Sequence, residues 1–181
     1  FNEILIKTLK NRIFKNLKFP IIIIGSKKVF KKELKKLKVK VNLKNFDNPE
    51  NLSKKNIYNI DIPIDLKNFS LAKKNSYIEK SFKIALNLLK KGDSLALING
   101  PISKTTFLKG KYNGITEFLA FKTRSNNETM FLFNKDLSVS PMTTHIPINK
   151  VAQKIKKKMI INKINSINNF KKKFLGFKPR I

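Results

Sequence analysis

Apolar and polar positions alternate along this chain with two different periods, and the switches between them mark out its elements. From Phe1 to about Leu17, Ile4, Leu5, Leu9 and Ile13 recur at helical spacing. Pro20 then precedes the run Ile21-Ile22-Ile23-Ile24, which stops at Gly25. A continuous β-branched run of that length predicts a strand buried on both faces. Ser26 is placed to cap a helix that carries Val29, Phe30, Leu34 and Leu37 on one side and lysines on the other. Val39, Val41 and Leu43 alternate with polar residues, which predicts a strand exposed on one face or lying at an edge. The polar stretch 44–56, with Asn48-Pro49 inside it, reads as a loop. Ile57, Ile60, Ile62 and Ile64 predict a short strand broken at Pro63. Ser70 then opens the longest helix of the first half, with Ile78, Phe82, Ala85, Leu86 and Leu89 inward and Gly92 ending it.

Leu95 to Ile98 predicts a buried strand that breaks into the turn Asn99-Gly100-Pro101-Ile102-Ser103-Lys104. Short helices are expected at Thr105 to Leu108 and at Thr116 to Thr123. Met130 to Phe133 and Leu137 to Met142 read as strands joined by the turn Asn134-Lys135-Asp136. A long last helix is predicted from near Asn149 to Gly176, with Val151, Ile155, Met159, Ile160, Ile164, Ile167, Phe170 and Phe174 inward. Strands and helices alternate throughout, so the expected class is α/β with a largely parallel sheet. In such sheets ligands gather at the carboxyl ends of strands, which directs attention to the turns after Ile98 and Met142.

Composition changes this picture in three ways. The net charge of +29 suggests a nucleic-acid partner, because clustered cations bind phosphate backbones by releasing counterions. Only Arg12, Arg124 and Arg180 are arginines, however, and Arg is the side chain suited to bidentate phosphate and base contacts. Lys, Asn, Ile and Phe make up 98 of the 181 residues, all with A/T-dominated codons, so the charge reads as drift of a solvated exterior. The expectation is therefore no nucleic acid, with a basic nucleic-acid-binding protein as the rival from another class. The lack of cysteine excludes disulfides and thiolate metal sites. No apolar run approaches the roughly 20 residues that span a bilayer, so no membrane and a cytoplasmic location are expected. The chain opens at Phe1 within a helical pattern and closes on Pro179-Arg180-Ile181, which resembles the entrance to a strand, so a piece of a longer protein is expected.

Few residues invite chemistry. His145 is the only histidine, and it follows Thr143 and Thr144 at the expected tip of a strand. A lone His there is more often a structural hydrogen-bonder than a ligand, and a catalytic metal takes about three protein ligands, which this chain does not supply unaided. The turn 99–104 could set backbone N–H groups and Lys104 against an anion, although a tight strand-to-helix connection explains the same residues. Gly114-Ile115-Thr116-Glu117 reads, by itself, as an ordinary helix start. There is no Gly-x-Gly-x-x-Gly fingerprint.

Taken together, four stretches resemble the 4-hydroxythreonine-4-phosphate dehydrogenase family of pyridoxine biosynthesis. They are Gly100-Pro101-Ile102-Ser103-Lys104, Gly114-Ile115-Thr116-Glu117-Phe118-Leu119-Ala120, Thr143-Thr144-His145-Ile146-Pro147 and Pro179-Arg180-Ile181, in the family's order and near its spacing. The resemblance places Phe1 just after the family's N-terminal Gly-rich turn, so this would be a fragment without that turn and without the C-terminal part. It implies an α/β/α fold like that of isocitrate and isopropylmalate dehydrogenases, with residues 1–110 as the first lobe and 111–181 as the start of the second. It also implies a homodimer with a shared active site between the lobes. The implied reaction is NAD- or NADP-linked oxidation of 4-phosphohydroxy-L-threonine, a phosphorylated hydroxy-amino acid, to a 3-oxo acid that decarboxylates. A divalent cation (Zn, Mg or Co) held by three histidines would bind and acidify the substrate hydroxyl. By this likeness His145 is one metal ligand and Thr116 a substrate contact, while catalytic and cofactor-binding residues stay unassigned and the fragment alone is inactive. The family's Gly-His-Thr-Glu is Gly114-Ile115-Thr116-Glu117 here, and Ile115 can neither donate nor accept a hydrogen bond. A paralogue acting on another phosphorylated hydroxy acid, such as a four-carbon sugar acid phosphate, or a decayed copy would both fit that change.

Overall fold

The structure is a computed structural model that describes residues 2–11, 18–68, 70–126, 128–134 and 136–180. The expectations for Phe1, Arg12, Ile13, Leu17, Lys135 and Ile181 lie outside the described residues. The chain divides into two compact units, Phe1–Ile102 and Ser103–Ile181.

The first unit is built on a parallel sheet of β1 (Ile21–Gly25), β2 (Leu43–Asn45) and β3 (Ile57–Asp61), in the order β1-β3-β2. The register pairs Ile23 with Asn59 and Asn45 with Asn59. Around it lie α1 (Asn2–Leu9), α2 (Lys27–Lys36) and α3 (Leu71–Lys91). Ile6, Leu9, Ile23, Phe30 and Leu34 form the core between α1, α2 and the sheet, with Val39, Val41, Leu43 and Ile57 packed against it. Burying such side chains contributes roughly 1.5–3 kcal/mol each. In α1 the expected Leu9 is buried together with Ile6, while Ile4 is 61% exposed.

Local signals placed the helix ends well. The Ser26 hydroxyl accepts from Val29 N and the Ser70 hydroxyl from Lys73 N, both at 3.4 Å. Gly92 ends α3 in the left-handed region at φ 83°, where a side chain would be strained. Phe82 and Ala85 are buried as expected, joined by Leu88. β2 lies at an edge of the described sheet, but it begins only at Leu43, and Val39 and Val41 reach the core without joining the ladder.

Several non-local expectations need correction. Leu95 to Ile98 is not a buried strand: Leu95 is 68% and Ile98 84% exposed, and no described segment pairs with them. A strand exists only where a neighbour completes its hydrogen bonds, so an apolar run without one stays open. Among the described residues 130–142, a single antiparallel bridge joins Leu132 to Val139, closed by bonds of 2.8 and 2.9 Å. The strand expected over Leu137 to Met142 therefore shrinks to one residue pair.

In the second unit Ser103 caps one wide turn, Lys104–Leu108, through Thr106 N at 3.2 Å. The helix α4 (Ile115–Thr123) follows, and Leu108, Phe118 and Ala120 are buried, with Phe107 and Tyr112 edge-on to the Phe118 ring. The long last helix is divided into α5 (Val151–Lys154) and α6 (Lys157–Phe170), because Ile155 and Lys156 are extended. Lysines at 154, 157 and 158 put like charges one turn apart across that point, which weakens a helix there. The apolar stripe of α6 is not inward either: no described residue of α6 is buried, and Ile160, Ile164 and Phe170 are each more than a third exposed. No helix among the described residues is long and apolar enough to cross a membrane.

Candidate functional site

Gly114 is the residue before α4, in extended backbone and without a side-chain cap. The Glu117 carboxylate folds back over it, so that a Cβ at Gly114 would stand 3.1 Å from Glu117 Oε2. Thr116 and Glu117, in the first turn of α4, form one wall of a cavity of about 350 Å³ within the second unit. Asn126, Glu128 and Thr129 from the segment after α4 form another. Thr144, together with Met130 and Met142 from either side of the bridge, and Met159, Asn162 and Lys163 of α6 complete it. The Lys163 ammonium donates to the Pro141 carbonyl at 3.0 Å, which ties α6 to the segment leading into Thr143.

Thr116 and Thr144, twenty-eight positions apart by their numbers, thus line one cavity. His145 is not among its lining residues; it follows Thr144 directly, exposed, in left-handed backbone at φ 57°. A non-glycine residue in that region carries local strain of order 1 kcal/mol. Nothing in the periodicity flagged Asn126, Glu128, Asn162, Lys163 or the methionines as neighbours of Thr116, since only the fold brings them together.

The described residues contain no group of three or more His, Cys, Asp or Glu side chains arranged to hold a metal. One exposed imidazole does not make a three-ligand centre. On their own the residues present do not fit a bound divalent cation, and no chemical step is derived through one.

The carboxyl end of the sheet in the first unit is bonded internally. Ser26 N donates to the Tyr77 hydroxyl at 2.9 Å and Lys27 N to Asp61 Oδ1 at 2.8 Å, which engages amides at the start of α2 that an anion would otherwise take. Burial raises the Tyr77 phenol above its ordinary range, against the lowering pull of the Ser26 N–H. Tyr58 behaves oppositely: the Ser53 N–H, 2.9 Å from its oxygen, lowers its pKa. Tyr58 also lines a polar cavity of about 410 Å³ with Lys44, Asn45, Asp47, Asn48, Asn51 and Ser53, in the stretch read from sequence as a plain loop.

Residues 17–181 match the family model described as pyridoxal phosphate biosynthetic protein PdxA. A 4-hydroxythreonine-4-phosphate dehydrogenase from Sulfurihydrogenibium sp. is 35% identical over 189 residues, covering 99% of this chain and 57% of that protein. A relative from Oceanobacillus iheyensis, whose name proposes it as a D-threonate 4-phosphate dehydrogenase, is 32% identical over 85% of this chain and 49% of its own length. The crystal structure of 4-hydroxythreonine-4-phosphate dehydrogenase from Klebsiella pneumoniae superposes with a TM-score of 0.78 at 24% identity, covering 99% of this chain and 57% of that one, a likeness of fold. The chain therefore spans about half the length of the relatives it matches.

Proposed function

Because the chain belongs to the PdxA family of pyridoxal phosphate biosynthetic proteins, we propose that the protein it represents oxidises the secondary alcohol of 4-phosphohydroxy-L-threonine with NAD or NADP. The product is a 3-oxo acid that loses carbon dioxide, on the route to pyridoxal phosphate. The observation that carries this reading is the meeting of two of the family-like stretches, through Thr116 and Thr144, at a single cavity. Thr116 contacts the substrate in this reading, and its hydroxyl can both donate and accept. His145 is one ligand of a divalent cation (Zn, Mg or Co) whose other ligands lie outside the described residues. Residues 1–110 and 111–181 serve as the first lobe and the start of the second, in a cytoplasmic homodimer whose active site is shared. The 181 residues alone turn nothing over, because one imidazole does not complete the metal centre.

A second enzyme reading is favoured by Ile115, which stands where the resemblance leads one to expect a hydrogen-bonding imidazole. In that reading the substrate is another phosphorylated hydroxy acid, such as a four-carbon sugar acid phosphate. The deciding assay follows reduced nicotinamide with a full-length protein, both substrates and added divalent metal, beside Ile115→His. Oxidation of 4-phosphohydroxy-L-threonine that improves in Ile115→His supports the first reading. Oxidation of the sugar acid phosphate alone moves the assignment to the second, and no reduction with either substrate in either protein ends both.

A further inference from the structure

Two of the six glycines directly follow an asparagine, at Asn99-Gly100 and Asn113-Gly114. An asparagine side chain carries an electrophilic amide carbon that can close a five-membered ring on the next residue's backbone nitrogen, and a glycine there, lacking Cβ, leaves room for the approach. The two pairs are held differently. The Asn99 amide donates to the Gly100 carbonyl at 3.0 Å, so ring closure there has a bond to break first, and Pro101 behind Gly100 narrows the choice of backbone. Asn113 is exposed in the bend before α4, and among the described residues no hydrogen bond engages its side chain or the Gly114 N–H. Gly114 is the N-cap of α4, a position whose N–H has no partner within the helix. The attack needs the Gly114 nitrogen to lose its proton and the Asn113 amide oxygen to take up negative charge. Both are favoured ahead of the positive end of a helix, with Lys109 and Lys111 a few positions before.

We propose that Asn113 is a site of spontaneous deamidation, selected over Asn99 by the fold. Hydroxide takes the Gly114 amide proton, and the nitrogen forms a bond to Asn113 Cγ. The Cγ–Nδ2 bond then breaks and ammonia leaves, its added proton coming from water, so that a succinimide remains. Water opens that ring at one carbonyl or the other, giving aspartate or isoaspartate. The sum is asparagine plus water to acid plus ammonia, with no other reactant. Either product sets a carboxylate one residue ahead of the N-cap, where the helix dipole favours it. Isoaspartate also inserts a methylene into the main chain directly before the turn that carries Thr116 and Glu117.

The test is peptide mapping by mass spectrometry of a full-length protein held for increasing times at neutral and at mildly alkaline pH, with enzymatic methylation of isoaspartate as a second readout. The expected result is an amide-to-acid mass gain on the peptide carrying Asn113, several-fold ahead of the peptide carrying Asn99, at a rate that rises in proportion to hydroxide and with isoaspartate among the products. Asn113→Gln should abolish the gain on that peptide, because its longer side chain would have to close a larger ring. Glu117→Gln should speed it, by removing a negative charge folded over Gly114. In urea, where neither pair is held, the two asparagines should convert at similar rates. A gain led by Asn99, or equal at both positions in the folded protein, overturns the proposal. So does an Asn113 that keeps its amide in the folded protein over the time in which it is converted in urea, and so does a lead of Asn113 that persists undiminished in urea, since local sequence rather than the fold would then set it.

Discussion

The close approach of Tyr77 to the end of β1 makes a quantitative test of how α3 is fastened to the sheet. Gly25 ends β1 with φ 157°, and a Cβ built there would lie 2.7 Å from the Tyr77 hydroxyl oxygen, closer than carbon and oxygen atoms approach without something shifting. That oxygen accepts the Ser26 N–H at 2.9 Å, and Ser26 is 5% exposed. In Gly25→Ala the Tyr77 ring has to retreat, so the overlap is relieved only by breaking the bond to Ser26. Overpacking of this kind costs about 1–3 kcal/mol, and an N–H left buried without a partner about 1–3 kcal/mol. A total near 3 kcal/mol is expected for Gly25→Ala.

Tyr77→Phe removes the oxygen that causes both effects. It should cost about 1–2 kcal/mol by itself, for the loss of the Ser26 bond. In its background Gly25→Ala no longer meets the hydroxyl and has no bond left to break. The double variant should therefore be more stable than the sum of the singles predicts, by at least about 1 kcal/mol. Urea unfolding of the four proteins, read as midpoint shifts at constant slope, gives the cycle directly. Additive losses within about 0.5 kcal/mol would refute the account, as would a Gly25→Ala protein as stable as the parent.

Two further outcomes follow from the same unit. Of the chain's three tyrosines, Tyr58 should ionise below its ordinary value, because the Ser53 N–H favours the phenolate, and Tyr77 above it, because burial opposes charge. For Tyr77 the raised value means that its stabilising contribution is full below the ordinary phenol pKa and is lost as pH rises through the folded value; Tyr58, being lowered, adds stability above the ordinary pKa that is lost as pH falls through its folded value. Ultraviolet titration of tyrosinate in Tyr58→Phe and Tyr77→Phe checks the order, and a late step that survives Tyr77→Phe would contradict it. Asn59, 3% exposed on the central strand, donates to the carbonyls of Ile23 and Gly25 at 2.9 and 3.1 Å. Asn59→Asp would turn a carboxylate toward those oxygens, so it should destabilise by about 3 kcal/mol or more at neutral pH and regain part of that on acidification, as the acid takes a proton it can donate. Unfolding midpoints that do not depend on pH would tell against this.

The helix caps at Ser26, Ser70 and Gly92 were legible because each is decided by backbone geometry within one turn. The strand β1 was legible from four consecutive isoleucines, and β3 from Ile57 and Ile60 before Pro63. Leu95 to Ile98 misled because an apolar run states that a segment can be buried, while its burial depends on a neighbour elsewhere. The interruption at Ile155 and Lys156 carries no Gly or Pro, so the helical period ran straight through it. Buried Asn59 was equally silent, since the two nearest of its carbonyl partners belong to a strand thirty-four and thirty-six positions away.

The candidate site divides along the same line. Thr116 and His145 could be named only through the order of four short stretches, because neither residue type at its position distinguishes a ligand contact from a cap or a turn. What the fold adds is neighbourhood: Thr116 and Thr144 at one cavity, with Glu128 and Lys163 beside them. Those additions are the residues that set charge and shape, and charge is where composition misleads most. A net charge of +29 describes the solvated exterior of this chain, whereas among the described residues the charged groups lining the cavity are two carboxylates and one lysine whose ammonium is already bonded to a carbonyl. A partner inferred from the whole chain would be a polyanion, which the described lining of the cavity does not call for. Interactions with exposed charges are screened within roughly 10 Å at ordinary salt, and groups in a recess are screened less. For a ligand that enters the recess, the local lining therefore decides what binds.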